Sequence, residues 1–579
     1  MSKWSRDNLQ GLTFEYSDLS YTIPRGNVEV LHSMSGIIQQ ETLHAIMGAS
    51  GAGKCKFSPV FGGITANLSS YMKSSDILKT TSRKNYIGYV AQNDALLPEL
   101  TVRETMMHSA CVRLPRLLSD AQRSRHVDRI IRCLGWEHVQ HNIIGDFESH
   151  GLSGGEYKRA SIGVELAAAP LALFLDEPTS GLDSTSALTL IRLLRKLTRA
   201  GMTIVVILHQ PRKEIFNCLD SLTLLHQGRQ MYQGSRDNVR SHFERLGHDF
   251  AGASNTADLI LDIISSEQKT LTSTNEEAKG EESTNDEFRA TSRWTRCNND
   301  VSNSGTKFLP LCRASWITQF WLCLVRSLKQ QQRRASSFYL EIGVGGIAGL
   351  IIGLSLYSYK GQHMQGIYLS PFERLSSSAN PNTPAMIGLM VCMAIGLAAS
   401  PSGVKTFGEE NILQCKEASS GHSQSAYYLG KVVSTFPRLA ISALHFTSFY
   451  TILATPRMTY WENFSIIVLY FYTIYGLASC CSFIVSRQDG PLMAVILCLI
   501  VSVLGGYGPS LYVVKQWHLE WLWRMFPGTW ASEAYVDRTF RRSAYLYNIN
   551  GAAQATGFSL GRYHLDISMI LFWGRSIES

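Results

Sequence analysis

The chain is 579 residues long with a formal net charge of +8, too long for one hydrophobic core and expected to form two or three domains. Most charge precedes about residue 335, and the remainder carries apolar runs on the scale of a bilayer, which predicts a soluble first half and a membrane second half. Nucleic acid is excluded as a partner: there is no basic stripe with interleaved aromatics, and the clearest basic cluster, Lys329, Arg333 and Arg334, directly precedes the first apolar run, where cytosolic flanking charge belongs. Twelve cysteines without paired CxxC spacing argue against structural zinc and against a disulfide framework. MSKWSRDNLQ lacks the apolar core of a cleavable signal peptide, so the first half is expected to face a reducing cytosol.

Residues 12 to 48 read as short strands, the last of them, LHAIMG, running into the glycine-rich GASGAGKC at 48 to 55. Strand, glycine loop and helix is the context of a phosphate loop. In the pattern GxxxxGK[ST] the glycines let backbone N–H groups curl around phosphate, the lysine reaches the outer phosphates and the final hydroxyl holds Mg²⁺. Gly48, Gly51, Gly53 and Lys54 match, but Cys55 replaces the hydroxyl. A thiol is a poor ligand for a hard cation. Pro59, Gly62 and Gly63 follow where a continuous helix should back the loop, which predicts a short supporting helix.

Gln92 follows a short apolar strand and can reach Mg²⁺ or an attacking water. LSGGEYKRASIGVEL then places a glycine turn ahead of a helix, and LALFLDEP is an apolar strand ending in two adjacent acids, Asp176 and Glu177. Such an end suits phosphate chemistry, one acid serving the metal and the next the attacking water. GMTIVVILHQP is another buried strand, ending at His209. With helical stretches such as 186 to 199 between them, these strands predict a mainly parallel α/β sheet and a nucleotide-hydrolysing engine.

From about Ser265 to Thr306 the composition turns to Ser, Thr, Asn and Glu and predicts a flexible linker. The expected domains are 1–265, a linker at 266–310, and 311–579. RASWITQFWLCLVRSLKQQQRR predicts an amphipathic, interface-lying helix. Five spans are expected at about 338–358, 384–401, 431–454, 464–486 and 491–514, with a stub at 567–573 of only about 10 Å. Glu341 and Arg438 are read as snorkelling near cytosolic span ends, and His445 as a satisfied packing residue.

Taken in order, these motifs resemble an ATP-binding cassette transporter of the G subfamily, a half-transporter with its nucleotide domain first, and the likeness covers nearly the whole chain. It implies a P-loop NTPase domain followed by an all-α polytopic domain. Tyr21 falls where the family stacks an aromatic on adenine, and Gly48, Ser50, Gly51, Gly53, Lys54 and Cys55 fall in the phosphate loop. Gln92 matches the Q-loop, and Ser153, Gly154 and Gly155 the signature. Asp176 matches the acid that holds Mg²⁺, Glu177 the general base, Asp183 the D-loop and His209 the switch histidine. NTADLILDII at 255–264 resembles a motif closing the nucleotide domain, EASSGHSQSAYYLGK at 417–431 a cytosolic coupling segment, and TWASEAY at 529–535 a re-entrant segment before the sixth span; for the last, aromatics lying at the interface are the plainer reading.

The resemblance implies dimerisation, homo- or hetero-, with each ATP held between one chain's phosphate loop and the other's signature. It also implies export of a small hydrophobic or amphipathic substrate across a lipid bilayer. Cys55 and the short last segment motivate an alternative, a subunit that offers its signature to a partner but does not hydrolyse at its own loop. A misjoined or truncated reading frame would leave the same two marks.

Overall fold

The computed structural model describes residues 12–23, 28–48, 72–74, 87–92, 95–145, 151–250, 255–273, 314–359, 364–376, 380–485 and 489–578. Ser50, Gly51, Gly53, Lys54, Cys55, the segment after the glycine loop and most of the expected linker lie outside them. The chain divides into two compact units, Met1–Gln319 together with Lys416–Ser423, and Phe320–Cys415 together with Gln424–Ser579.

In the first unit, β1 (Phe14–Ile23), β2 (Val28–Ile38) and β4 (Met72–Ser74) form an antiparallel sheet in the order β2-β1-β4. A six-stranded sheet has the order β5-β6-β7-β3-β8-β9, built from β3 (Leu43–Gly48), β5 (Ile87–Val90), β6 (Ala172–Leu175), β7 (Thr203–Ile207), β8 (Ser221–His226) and β9 (Arg229–Ser235). All its pairings are parallel except β8 with β9, as the buried apolar runs predicted.

Strands covered on both faces lose the polar half of their alternation, and here the two faces split cleanly. Ala45, Met47, Leu173, Leu175, Ile204 and Val206 pack on one side with helices α1 (Val102–Arg113), α2 (Asp120–Leu134), α3 (Gly154–Leu166) and α4 (Ser184–Thr198). Ile46, Ala172, Phe174, Val205 and Ile207 face the small sheet on the other. There Phe14 meets Phe174 edge to face at 5.4 Å, a geometry that adds about 0.5–1.5 kcal/mol beyond buried area. His44 is buried beside these strands, bonded at Nδ1 to Ser221 Oγ (2.8 Å) and at Nε2 to Thr223 Oγ1 (2.9 Å). Burial drives its pKa down to about 3. Helix α5 (Thr256–Ser273) continues past residue 265.

The predicted amphipathic segment is helix α6 (Trp316–Arg333), with Trp316, Ile317, Trp321, Val325 and Leu328 exposed. The second unit then contains α7 (Ala335–Leu356), α8 (Thr383–Gly408), α9 (Asn411–Ser419, whose last turn belongs to the first unit), α10 (Gln424–Ala454), α11 (Tyr460–Ile484), α12 (Gly490–Val503), α13 (Pro527–Arg542) and α14 (Tyr563–Glu578). Among the described residues three stretches are long and apolar enough to cross a membrane: Phe338–Tyr359, Thr383–Ser419 and Tyr460–Ile484.

Five spans were expected, and the other two differ for physical reasons. The segment at 431–454 lies in a 31-residue helix whose apolar character is interrupted by Lys431, Arg438 and His445. The fifth stops after 14 residues at Val503, because Gly505, Gly506, Gly508 and Pro509 follow and Gly506 adopts a φ of 83° that suits a turn. The final segment is longer than the expected stub. Helix α14 starts at Tyr563 and has 16 residues, about 24 Å at 1.5 Å per residue.

The snorkelling assigned to Glu341 and Arg438 is also overturned. The two are ion-paired, Tyr475 donates to the same carboxylate, and Glu341 is buried. His445 Nδ1 meets Ile441 O at 2.9 Å. In TWASEAY, Trp530 is buried in α13 with Nε1 donating to Arg524 O at 2.8 Å, so it is a packing residue and not an interface aromatic. Helix α7 lays Gly345, Gly349 and Gly353 along α10; a Cβ at Gly349 would stand 2.5 Å from Phe446 O and one at Gly353 2.8 Å from Leu453 Cβ. Only glycine admits so close a backbone approach.

Candidate active site

Parallel strands deliver their carboxyl ends to one edge, and this edge collects the chemistry. Leu208 N donates to Ile46 O (3.1 Å) and Asp176 N to Val90 O (2.9 Å). The ladder therefore holds the ends of β3, β5, β6 and β7 side by side. Gly48 closes β3, Asp176 and Glu177 follow β6, His209 lies two residues past β7, and Gln92 two past β5. Gln92 Nε2 donates to Glu177 Oε2 at 2.8 Å. Tyr89 OH reaches Asp176 Oδ2 at 3.4 Å, and Asp176 is buried. Glu177 (φ 44°) and Gln210 (φ 45°) both sit in the left-handed region, a costly backbone for such residues that persists where surroundings enforce it. It turns the chain sharply at the two strand ends.

A second group is set by helix starts. Ser153 caps α3: its Oγ accepts from Glu156 N, and its own N–H donates to Glu156 Oε2 at 2.9 Å. Partial burial raises the Glu156 pKa, but the bonds from Ser153 outweigh it and the carboxyl falls below the usual range. Gly154 opens the helix, and a Cβ on Gly155 would touch Ser186 at 3.4 Å. Asp183 caps α4 through Oδ2, accepting from Thr185 N (3.1 Å) and Ser186 N (3.0 Å). The Ser186 hydroxyl chiefly, then these N–H groups, holds its carboxyl low. Tyr21 lies in β1, packed against the small-sheet cluster.

The comparisons with known proteins agree with this architecture. The ABC transporter family matches residues 31–180 and the ABC-2 type transporter family residues 318–540. The ABC-type transporter claG of Penicillium crustosum is 38% identical over 554 residues, covering 96% of this chain and 72% of that protein. This chain belongs to the ABC transporters. ABC transporter G family member 21 of Arabidopsis thaliana is 28% identical over 551 residues, covering 87% and 79%. The order of domains and these relatives make it a G-subfamily half-transporter, nucleotide-binding domain first and membrane domain second. Among solved structures, cbiO1 from Clostridium perfringens covers 41% of this chain and 94% of its own at 24% identity, with a TM-score of 0.36.

As an ABC transporter the chain carries an ATP-binding domain, and its donors can be tested against Mg²⁺. The Asp176 carboxylate at a strand end and the Gln92 amide oxygen are hard ligands of the right kind; the sulfur of Cys55 is not. When bound, the ion would offset phosphate charge, and Asp176 and Gln92 would hold it.

Sequence reasoning passed over Lys158. It is buried, and its Nζ donates to Ala91 O (2.8 Å) and Gln92 O (3.1 Å), while Tyr157 OH accepts from Leu96 N at 3.2 Å. The signature helix thus grips the loop carrying Gln92. The signal was present: Lys158 lies four and eight residues before the buried Ile162 and Leu166, on the apolar stripe where a lysine needs a partner. The NTADLILDII segment is also tied in, with Asn255 Nδ2 donating to Pro211 O (3.3 Å), two residues past His209.

Proposed function

We propose that this chain is one half of a dimeric ATP-driven exporter of a small hydrophobic or amphipathic molecule, with its nucleotide-binding domain in the cytosol. The observation that carries the reading is the 2.8 Å contact between Gln92 and Glu177, which follow the neighbouring strands β5 and β6 at the carboxyl edge of the sheet. In this proposal Lys54 clamps the outer phosphates and Glu177 takes the proton of the attacking water. Gln92 orients Glu177 and that water, and His209 bonds the γ-phosphate. Tyr21 stacks on adenine. Ser153, Gly154, Gly155 and Asp183 face the ATP of the partner chain, homo- or heterodimeric, with the N-terminus of α3 favouring phosphate charge.

ATP closing two such domains would bias the membrane helices toward the outward-facing state, and hydrolysis would release them. The test is the purified full-length chain in lipid, assayed for ATP binding and vanadate-sensitive hydrolysis. Both are expected, and Glu177→Gln should keep binding while losing turnover. A preparation that neither binds nor hydrolyses ATP sinks the reading. Cys55→Thr should raise turnover, by restoring a hard metal ligand.

A further inference from the structure

The turn that ends α9 carries chemistry the transport cycle does not use. Gly421 (φ 89°) terminates the helix, its N–H donating to Ala418 O (3.0 Å) and the next N–H, of His422, to Glu417 O (3.0 Å). This is the paired 5→2 and 6→1 bonding of a Schellman cap, which folds the residue after the glycine back over the one five positions earlier. That pair is usually apolar and closes on itself; here it is His422 above Glu417.

The third member comes from far away in the chain. His108 projects from α1, its ring centroid 6.0 Å from that of His422 at an angle of 44°. One donor atom from each of His108, Glu417 and His422 lies within 4.8 Å of the other two, and all three side chains are half-buried. His422 Nδ1 and Glu417 Oε2 stand 3.8 Å apart, beyond hydrogen-bonding distance but a span that an ion bridges. The turn is held in place at both ends: Ser423 N donates to Gln319 Oε1 (2.8 Å) and Lys416 Nζ to Ser161 Oγ (3.2 Å). All these residues belong to the first unit.

We propose that His108, Glu417 and His422 form a binding site for a divalent transition-metal ion, zinc foremost. Two imidazoles and a carboxylate suit zinc and exclude Mg²⁺ or Ca²⁺ as preferred occupants. Tetrahedral zinc about 2.1 Å from each donor needs donors about 3.4 Å apart, so rotamer adjustment closes the set and leaves the fourth position for water. The cysteine spacing argued against structural zinc because it registers only closely spaced cysteine ligands; here His108 lies about 300 positions from Glu417 and His422 and joins them only in the fold. A bound ion would staple α1, which begins ten residues past Gln92, to the 416–423 turn. On the transporter reading above, it would slow turnover by holding that turn still.

The experiment uses the full-length chain, stripped of metal, in detergent and without ATP. After loading with Zn²⁺ and desalting, elemental analysis should count one ion per chain, and zinc should raise Tm. His108→Gln and His422→Gln, on separate elements, should each lose that equivalent and the Tm shift, and Glu417→Gln should weaken retention. Cobalt in its place should give the visible bands of a tetrahedral site without a thiolate charge-transfer band. Unchanged zinc content in both histidine variants overturns the site, as does a thiolate band, which would assign the metal to exposed Cys415 or Cys133. Because binding is read without nucleotide, a chain that takes up zinc yet hydrolyses no ATP supports the site while defeating the transport reading.

Discussion

At the carboxyl edge of the large sheet Gln92 and His209 stand exposed and Glu177 half-buried, whereas two buried acids of the membrane half are closed on partners of their own. Glu341 is held by Arg438 and Tyr475; Glu410 is held by Lys431, Tyr427 (2.7 Å) and Gln330 (2.9 Å). The contrast separates polar residues kept accessible for a ligand from polar residues satisfied by the protein itself. The first are candidates for chemistry, and the second hold helices in register.

The contrast predicts different failures. Glu177→Gln should cut ATP turnover by ~10²–10⁴-fold, the usual range for losing a general base, with ATP binding and Tm unchanged; a variant that melts early would place Glu177 among the structural acids instead. Arg438→Ala should leave Glu341 buried without its cation and destabilise the membrane half by about 3–5 kcal/mol, read as a lower Tm and lost monodispersity in detergent. Replacing both, Glu341→Leu with Arg438→Leu, should recover most of that stability. If the double variant is stable but transports nothing, the pair belongs with the functional groups and the contrast fails.

Lys158→Ala tests the boundary between the classes, because the lysine is buried yet acts on the Gln92 loop. Turnover should fall roughly ten- to a hundredfold as Gln92 shifts, with ATP affinity nearly unchanged. An equal loss of affinity would show the lysine supports the whole domain. His44 is a buried titratable group of the first half. Folded, it stays unprotonated until about pH 3, while the unfolded chain takes up the proton near 6.5. The unfolded state therefore binds more protons in that window, and acidification removes up to ~1.4 kcal/mol of stability per pH unit across it. His44→Gln should flatten the fall of Tm between those values; an unchanged slope would assign it to other groups.

Much of this was legible in the sequence. The apolar strands read correctly because burial on both faces removes polar alternation, and the acid and amide motifs fall at neighbouring strand ends, where Gln92 meets Glu177 at 2.8 Å. For Lys158 the sequence carried the signal of a lysine on an apolar stripe but not its partners, the backbone carbonyls of Ala91 and Gln92, which meet it only after folding. The fifth span was misjudged for a related reason: apolarity averaged over 491–514 conceals Gly505, Gly506 and Pro509, which stop the helix at Val503. Glu341 and Arg438 were assigned to water because nothing in the sequence shows that α7 and α10 bring them together.

The glycines of α7 have a mechanical consequence. With Gly345 and Gly349 against the backbone of α10 and Gly353 against Leu453, little pliant side-chain material remains at those points to absorb sliding. The two helices, joined again by Glu341 and Arg438, act as a single beam, and any rocking of the membrane half must pivot at the ends of that beam instead of shearing along its length.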